Sequence, residues 1–588
     1  MIRTTLCTTL VAMCSALCAA DIYVATTGSD TTGTGAIGTP YATPRHAAQQ
    51  AVAGDTIILR AGTYAGNVEL NKDNLTLRSY TGEWAVIHMP NSGTTNVTLW
   101  VYNTGTRIER LEISGGSPYS VHVVPPCNGC EFADCKIHGA DWIGIKVSQP
   151  DNVTLRRCEI YDTGSVTAGG MGIDCVNGDN ILIQDCHFHD CNGTGIYLKG
   201  GLRNALVERN LVRNVAGDGI LLGESTGVAF MDTVGNPELY EAIDGVVRNN
   251  IVANVAASGL VTYGSLRCKI YNNTVYNCAT GTGGAGLRLI KGAHAGYPDT
   301  PIKQTEFVNN IVVPGQASRP FVQVTTGSHD GTVIFNYNRY FNLGTPSGVF
   351  WDELVAATAA YNLSLAQWQT RTGFDTNSTT GDPGASATTY HLGGGSACID
   401  AATTFASFVD DYDGNTRTGT WDIGADESGG TALPTPPAAG TVGTGGGVGA
   451  PGSPTAPTNL TATGTVTLNW QDNSGNETGF RIERRSAPAG TYATLTTVAA
   501  NTTSHTDDPG PGSWYYRVYA VNAAGDSAAS NEANISVPVV DPSPPGKKDS
   551  GGGGCSAQPS GPAAWMCLAL AASATLIPAG RNRWRHSA

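Results

Sequence analysis

One pattern recurs in residues 172–224, GIDCVNGDNILIQDCHFHDCNGTGIYLKGGLRNALVERNLVRNVAGDGILLGE. Each copy begins with a glycine and a short strand of alternating apolar and polar residues. A Gly/Asn turn and a second alternating strand follow. A unit of this length cannot bury its apolar face alone, so the copies have to stack on one another. The stretch therefore predicts a solenoid of short strands.

The spacing of one inward position gives the length of a copy. Eight residues hold this position along the chain: Leu111, Cys135, Cys158, Cys186, Asn210, Asn250, Asn273 and Asn310. Neighbours are 23 to 28 residues apart, except for gaps of 40 and 37 residues that place insertions near Ser225–Glu241 and Gly292–Gln304. A repeat of about 23 residues is typical of one coil of a parallel β-helix, whereas helix pairs and propeller blades need more. The asparagines agree with this, because side-chain amides stacked about 4.8 Å apart can hydrogen-bond to one another.

These repeats resemble the right-handed parallel β-helix proteins, the architecture of pectate lyases, polygalacturonases and chondroitinase-B-like lyases. The resemblance extends from Asp21 to Glu427, and it implies a substrate that lies across one outward face. Residues 457–537 form a separate module, in which LNW, FRIERR and WYYRVYAVNAAGDS resemble a fibronectin type III domain, with Trp470 and the Tyr515/Tyr516 strand as core candidates. The predicted fold class is all-β, a right-handed parallel β-helix followed by a fibronectin type III β-sandwich.

The start and the end of the solenoid are less regular than its middle. Thr43 can cap a short helix that begins with Pro44 and carries an apolar stripe of Ala47, Ala48, Ala51 and Val52, and this helix is expected to cover the open first coil. Regular coils are predicted from Thr56 to Val313, with an irregular closing region after them. In that region Asp410, Asp411, Asp413 and Asn415 lack the spacing of an EF-hand loop, so turn capping is expected there in place of calcium binding.

Composition restricts the partners. The net charge is −14 and only 14% of the residues are charged, so nucleic acid is not expected as a partner. An acidic protein that handles an acidic polysaccharide needs a local basic patch or a bridging cation. Among the fifteen cysteines, Cys135 and Cys158 lie one coil apart, which suits either a disulfide or an unbonded stack.

Both ends of the chain resemble targeting segments. Residues 1–20 have a charge, an apolar stretch and a small-residue cleavage site, which predicts a secretory signal peptide, with an uncleaved anchor as the alternative. Residues 21–428 are the predicted β-helix domain, 429–456 a Gly/Pro/Thr-rich linker and 538–554 a spacer.

Residues 555–588 combine Cys555, nineteen apolar residues and the basic end RNRWRH. They resemble bacterial C-terminal sorting signals of the Gly/Cys type, which implies cleavage near Cys555 and display on the bacterial cell surface or outer envelope. A retained single-span anchor is the alternative. The membrane is expected to be contacted only through this segment, and the protein is expected to be a monomer.

The candidate site follows from the outward residues of the GIxV strands, since alternate residues of a strand point to opposite faces. The predicted outward column is His122, Lys146, Asp174, Tyr197, Leu221, Val261 and Arg288, and the next column contains Ser148, Lys199 and Tyr263. With coils about 4.8 Å apart, the polar residues from His122 to Lys199 form a patch about 15 to 20 Å long. Such a patch suits a groove for several sugar units of a polysaccharide or a cell-surface glycan.

Hydrolysis of a glycosidic bond needs paired carboxylates. GIYLKGG, GDGILLG and GLRLIKG resemble segments of the polygalacturonases, but Gly193, Thr194, Met171 and Asp218 stand where that family has its acids and histidine. A hydrolase of that type is therefore not expected.

β-Elimination of a uronate needs a base for the C5 proton and a cation for the carboxylate. The resemblance to lyases of this fold implies a Lys or Arg base with calcium held by acidic residues. The candidate base is Lys199 or Lys146, with His122 or Tyr197 as proton donor or relay. The candidate calcium ligands are Asp174, Asp218 and Glu224, and the candidate substrate-binding residues are Arg288 and Tyr263.

The chain departs from both lyase families. The adjacent-Asp calcium cluster of the pectate lyases is absent from its sequence, and so is the acidic pair that precedes the Lys of chondroitinase-B-like enzymes. The prediction is a polysaccharide lyase-like enzyme that acts on an acidic polysaccharide. The alternatives are a non-catalytic glycan-binding or adhesive surface protein, in which Lys199 merely pairs with Asp174 or Glu224, and a structural spacer.

Overall fold

A computed structural model describes residues 19–91, 95–164, 169–343, 349–428, 456–463, 466–474, 479–486, 490–499, 502–522 and 525–537. The chain divides into two compact units, Met1–Val448 and Gly449–Ala588. The C-terminal spacer and sorting segment lie outside the described residues, as do nearly all of the signal peptide and linker. Within the described ranges, no helix is both long and apolar enough to cross a membrane.

The first unit is a parallel β-helix with three long sheets, whose strands alternate along the chain in the order A, B, C. Sheet A contains Asp21–Val24, Thr56–Leu59, Thr76–Ser79, Arg107–Glu109, Glu131–Ala133, Thr154–Arg156, Leu182–Gln184, Leu206–Glu208, Val246–Arg248, Lys269–Tyr271, Glu306–Val308 and Ile334–Asn336. Sheet B contains Gly62–Ala65, Ala85–Met89, Leu111–Gly115, Lys136–His138, Glu159–Tyr161, His187–His189, Leu211–Arg213, Ile251–Val255, Thr274–Cys278, Ile311–Pro314, Arg339–Tyr340 and Thr379–Thr380. Sheet C contains Val68–Leu70, Leu99–Val101, Tyr119–Val123, Ile143–Ser148, Ile173–Val176, Ile196–Lys199, Ile220–Leu222, Leu260–Tyr263, Leu287–Ile290, Val322–Val324, Phe350–Asp352 and the antiparallel Ala360–Leu363. A small parallel sheet contains Leu202–Arg203, Ala242–Ile243 and Ser265–Leu266.

The asparagine ladder is confirmed and is one coil longer than predicted. It consists of Asn210, Asn250, Asn273, Asn310 and Asn338, all of which are fully buried. Each Nδ2 lies 3.0 to 3.1 Å from the Oδ1 of the next asparagine. Below the ladder the same position is held by cysteines; Cys135 and Cys158 are free and buried, so of the two alternatives the unbonded stack is present.

The corner from sheet A to sheet B is the same in successive coils. The residue just before each ladder position has a left-handed backbone with φ between +49° and +60°: Arg110, Asp134, Arg157, Asp185, Arg209, Asn249, Asn272, Asn309 and Tyr337. This conformation is unusual for a residue with a side chain. Its recurrence gives the nine coils whose sheet A strands run from Arg107–Glu109 to Ile334–Asn336 the same tight turn at this corner.

The corner from sheet C to sheet A varies in length. The two predicted insertions leave the solenoid here, one between Leu222 and Ala242 and one between Ile290 and Glu306. The first insertion contains the short 3₁₀ helix Val228–Phe230. The insertions contact each other through His294, whose two ring nitrogens lie 3.0 Å from the carbonyl oxygens of Thr226 and Leu239.

The first coil is covered by the predicted helix, Pro44–Gln50, and the Thr43 side chain accepts a hydrogen bond from the backbone N–H of His46 at 3.2 Å. Ala47, Ala48 and Ala51 are buried in the main core, whereas Val52 is exposed.

The prediction that regular coils end at Val313 is wrong, because parallel strands continue to Asp352. A short 3₁₀ helix, Ala356–Thr358, follows, and a second α-helix, Leu365–Thr372, then covers this end of the solenoid. The buried Trp368 of this α-helix stacks on Phe350, with ring centroids 5.1 Å apart. This helix does not belong to the repeat, so the sequence pattern predicted an irregular region here.

The closing segment, residues 382–428, packs on the outer surface of sheet B. Its Tyr390, Tyr412 and Ala425 share a hydrophobic cluster with Leu211 and Ile251. Asp410 forms an ion pair with Arg209 of the tight corner. As predicted, Asp411 caps a turn, since its carboxylate accepts the backbone N–H of Asn415 at 2.7 Å.

The second unit contains two antiparallel sheets that share one core. One sheet consists of Thr458–Thr463, Thr467–Gln471 and Ser504–Thr506, and the other of Ala493–Ala499, Gly479–Arg485, Gly512–Asn522, Gly525–Asp526 and Ala533–Val537. Trp470 and Tyr516 lie in the core between them, 5% and 0% exposed.

Candidate functional site

The outward column of sheet C has the predicted register. In pairing order it reads Glu69, Trp100, His122, Lys146, Asp174, Tyr197, Leu221, Val261, Arg288, Gln323 and Trp351. Lys199 lies two residues beyond Tyr197, beside Val176 in the next outward column. We call His122, Lys146, Asp174, Tyr197 and Lys199 the polar face. Their adjacency follows from the coil register, because each strand places the same position above the previous one.

Lys146 and Asp174 form a close ion pair in the middle of the polar face. The Lys146 Nζ lies 2.6 Å from the Asp174 Oδ2, and the two side chains are 14% and 5% exposed. The other oxygen, Asp174 Oδ1, is buried and has no hydrogen-bond partner in the described part of the chain. A buried carboxylate oxygen without a donor is costly, so Asp174 has unused capacity to accept a hydrogen bond.

Tyr197 and Lys199 lie on the next coil. The Lys199 Nζ lies 4.1 Å from the centre of the Tyr197 ring and 3.2 Å from the Glu224 Oε2. The Tyr197 hydroxyl is buried and unbonded among the described residues, and Tyr197 shares a small hydrophobic cluster with Leu221 and Val261, against which Met171 packs. Burial lowers the pKa of Lys199, and the nearby ammonium of Lys146 adds to this effect, although Asp174 and Glu241 oppose it. Burial raises the pKa of Glu224, and the charges of Glu241 and Asp174 raise it further.

His122 lies at the other end of the polar face. Its Nε2 lies 3.0 Å from the Ser148 Oγ, and its ring lies 4.8 Å from that of Trp100 and 4.9 Å from that of Tyr119. Its Nδ1 is buried, and no described residue bonds to it. Burial lowers the pKa of His122 to about 4, with a further contribution from Lys146, so the ring is neutral at pH 7.

An aromatic shelf, defined as Trp100, Tyr102, Tyr119 and Trp142, adjoins His122. Trp100 and Tyr102 stack with ring centroids 5.6 Å apart and planes 7° from parallel, and Tyr119 stacks on Trp142 at 6.2 Å. Sequence analysis missed this shelf. Extending the outward column by one coil would have found Trp100, which precedes His122 in the register.

The three predicted calcium ligands do not converge. The carboxylates of Asp174 and Glu224 form ion pairs with Lys146 and Lys199. The Asp218 carboxylate accepts a hydrogen bond from the backbone N–H of Ser258 at 2.7 Å. Burial raises the pKa of Asp218. Two groups of three or more His, Cys, Asp or Glu side chains bring their ligand atoms within 4.8 Å of one another in the described ranges: Glu159, His187 and His189, and His391, Asp413 and Asp426. The geometry therefore gives no support to calcium at Asp174, Asp218 and Glu224.

The predicted substrate-binding residues lie apart from the polar face. Leu221 and Val261, 5% and 2% exposed, separate Tyr197 from Arg288 and pack with Tyr263. Three coil steps correspond to about 14 Å. The Arg288 Nε is buried and unbonded within the described ranges. Burial raises the pKa of Tyr263, and the Arg288 charge opposes this.

Comparison with known proteins agrees with the solenoid. A family model described as "Right handed beta helix region" matches residues 119–312. The first unit is a right-handed parallel β-helix. No curated protein matches the chain.

Several solved structures are similar to this chain. Pectate lyase Pel9A is 14% identical with a TM-score of 0.46, over 69% of this chain and 96% of its own. A rhamnogalacturonan lyase is 14% identical with a TM-score of 0.42, over 54% and 87% of the two chains. The A-module of a mannuronan C-5 epimerase from Azotobacter vinelandii is 14% identical with a TM-score of 0.40, over 50% and 88%. Likeness at this level carries no information on the reaction of this chain.

Proposed function

We propose that this protein is a surface-displayed polysaccharide lyase-like enzyme, which cleaves an acidic polysaccharide by β-elimination at the polar face of sheet C. One observation carries the proposal. Asp174 Oδ1, Tyr197 Oη and His122 Nδ1, all within four successive coils, are buried without a hydrogen-bond partner among the described residues. Each such atom costs about 1 to 3 kcal/mol, and polar groups of this kind are concentrated where a ligand or a reaction uses them.

Lys199 is the proposed base. Its lowered pKa and the raised pKa of Glu224 both favour the neutral amine in this pair. In the proposed step the amine takes the C5 proton, the C4–O bond breaks as the C4=C5 double bond forms, and the Tyr197 hydroxyl gives its proton to the leaving oxygen. Because the Tyr197 hydroxyl is buried, the side chains that cover it have to move for this contact.

Lys146 is the proposed partner of the uronate carboxylate. Its ammonium is 14% exposed and already holds one carboxylate, Asp174, at 2.6 Å. A cation near the C5 carboxylate stabilises the negative charge that develops as the proton leaves. Calcium at Asp174, Asp218 and Glu224 is not part of this proposal. The aromatic shelf offers flat faces on which sugar rings can stack, and Arg288, about 14 Å beyond Tyr197, can bind a second carboxylate.

The remaining parts of the chain fit export. We include in the proposal a signal peptide at residues 1–20, a fibronectin type III module at 457–537 as a spacer, and a sorting segment at 555–588. The two sheets and shared core of the second unit support the assignment of residues 457–537. Detection of the native chain on intact cells by an antibody against the second unit tests the display.

A non-catalytic glycan-binding protein is the second candidate. The observation in its favour is that both lysines of the polar face have carboxylate partners, Asp174 at 2.6 Å and Glu224 at 3.2 Å. An ion-paired ammonium is a poor base. This candidate keeps the groove, the aromatic shelf and Arg288, but it predicts no bond cleavage.

One experiment separates the candidates. The full-length protein is mixed with a panel of uronate polysaccharides, and the ultraviolet absorbance of the unsaturated uronate product is followed along with new reducing ends. A lyase gives both signals, a hydrolase gives reducing ends alone, and a binding protein gives neither while retaining the glycan in a pull-down assay.

Substitutions test whether the activity depends on the polar face. Tyr197→Phe and Lys199→Met are expected to lower kcat by roughly 10²- to 10⁴-fold, the usual contribution of a general acid or base. The controls are Tyr161→Phe and Lys269→Met, which remove a phenol on sheet B and an amine on sheet A. Equal loss in variants and controls would overturn the proposal.

A further inference from the structure

His391, Asp413 and Asp426 come together in the closing segment, which packs on sheet B, whereas the polar face lies on sheet C. The His391 Nε2 lies 2.6 Å from the Asp413 Oδ2 and 3.8 Å from the Asp426 Oδ1. The side chains are 15%, 2% and 4% exposed. Three separate turns of the segment therefore present one imidazole and two carboxylates to a single point.

The two carboxylates are not fully bonded. The Asp426 Oδ2 accepts the backbone N–H of Leu392 at 2.8 Å. The second oxygen of Asp426, Oδ1, and the Asp413 Oδ1 are both buried and accept no hydrogen bond from the described part of the chain. Asp426 is only 3% exposed, so water cannot freely compensate for the missing donor.

The arginine beside Asp426 has other hydrogen-bond partners. Arg417 donates to the carbonyl oxygens of Gly424 and Ala425 and to the Glu427 carboxylate. Toward Asp426 it reaches only the carbonyl oxygen, at 3.5 Å. His391 is therefore the basic side chain that contacts both carboxylates.

The other group of potential ligands differs in this respect. Lys136 lies 3.4 Å from the Glu159 carboxylate, and the Arg213 Nε donates to the His187 Nε2 at 3.0 Å. Two residues of that group thus already contact basic side chains of the protein. It serves as an internal comparison, because it has similar residue types and the opposite charge balance.

We propose that His391, Asp413 and Asp426 bind a divalent transition-metal ion of the Zn²⁺ or Mn²⁺ type. An imidazole nitrogen with two carboxylate oxygens is a ligand set that such ions accept, whereas calcium prefers oxygen ligands alone. The ion would lie among the three ligand atoms, which are all within 4.8 Å of one another, and would add positive charge beside the two unbonded carboxylate oxygens.

The ion would fasten the closing segment to sheet B. Each ligand directly follows a residue that packs on the sheet, since Tyr390, Tyr412 and Ala425 share a cluster with Leu211 and Ile251. One ion therefore joins three anchor points that are distant in the sequence. Because metal binding to the folded state alone stabilises that state, the ion raises the stability of the β-helix.

The test uses the full-length chain without a polyhistidine tag, stripped with a chelator and then dialysed. Zn²⁺ or Mn²⁺ is titrated by calorimetry, and bound metal is counted by elemental analysis. The expected result is one ion per chain and a higher midpoint of thermal unfolding. A folded protein that retains neither ion would overturn the proposal.

Asp426→Asn tests the site itself. The asparagine oxygen still accepts the Leu392 N–H, so the segment keeps its fold while the anionic ligand is lost, and the bound ion is expected to be lost with it. His391→Gln is the second variant. The controls are Asp410→Asn, a carboxylate of the same turn that pairs with Arg209, and His187→Gln in the other group. Retention of the ion in Asp426→Asn would refute the proposed site. Loss of the ion in His187→Gln at the same time would show that the group of Glu159, His187 and His189 binds it.

Discussion

The asparagine ladder and the polar face are both columns of polar side chains on successive coils, yet one is fully bonded and the other is not. In the ladder, each amide donates to the next at 3.0 to 3.1 Å, and every side-chain nitrogen and oxygen has a partner. On the polar face, three buried atoms have none within the described residues. The same repeat can therefore satisfy a polar column completely, and the unbonded atoms of sheet C are a feature of these residues and not of the architecture.

The largest expected effect is in the ladder. Asn250→Ala removes the acceptor of the Asn210 amide and the donor to the carbonyl oxygens of Val207 and Arg248. With about 1 to 3 kcal/mol for each buried group left unpaired, the free energy of unfolding should fall by roughly 3 to 5 kcal/mol. Urea unfolding measures this. The control Asn103→Ala, at an exposed hydrogen bond to Asp73, should cost less than about 1 kcal/mol, and a similar loss in both would contradict a special role for the ladder.

An intermediate effect is expected from pH on the polar face. His122 has a pKa of about 4 in the folded protein against 6.5 in the unfolded chain. Between these values the unfolded chain binds a proton that the folded protein does not, so the free energy of unfolding falls as pH decreases from 6.5 to 4. The full difference is at most about 3 kcal/mol.

The histidine contribution is isolated by comparing wild type with His122→Gln across this pH range. His187 also has a pKa lowered by burial, to about 3, but it is present in both proteins. Between pH 6.5 and pH 4 the free energy of unfolding should fall by up to about 3 kcal/mol more in wild type than in His122→Gln, because the variant lacks the imidazole that the folded protein keeps neutral. Parallel curves would show that His122 is not held in a neutral state.

The smallest effect is expected for Tyr197→Phe. Its hydroxyl has no hydrogen-bond partner among the described residues, so removing it should change the free energy of unfolding by less than about 0.5 kcal/mol or increase it slightly. Tyr64→Phe is the matched control, because that buried hydroxyl donates to the Arg60 carbonyl at 2.8 Å and its loss should cost about 1 kcal/mol. Chemical unfolding of both variants decides, and equal losses would mean that Tyr197 is bonded in solution.

The repeat made the regular part of the molecule predictable. Once the inward position of one coil was identified, the register placed Lys146 beside Asp174 and Asn250 beside Asn273. The N-terminal helix was predictable for a local reason, since Thr43 and Pro44 are a cap and a first-turn residue in sequence.

Features outside the repeat were not predictable in the same way. His391, Asp413 and Asp426 lie in three turns of an irregular segment, and no period relates their positions. The helix Leu365–Thr372 was missed because its position depends on the end of the solenoid that it covers. The ion pairs that occupy Asp174 and Glu224 depend on side-chain conformations, which a register does not specify.

The contrast between the two corners of each coil has a consequence for how such a protein can change. The tight corner with φ between +49° and +60° fixes the pitch, and the corner after sheet C accepts insertions as long as the one from Leu222 to Ala242 without disturbing the neighbouring coils. Because lengthening a surface loop costs little free energy, a loop that flanks the polar face can become longer in one coil without a change in the others. The coils and the loops that flank the polar face can therefore change independently. A foreign loop grafted in place of residues 227–235, which keeps Glu224, Thr226 and Leu239, should alter substrate specificity and leave the coils intact.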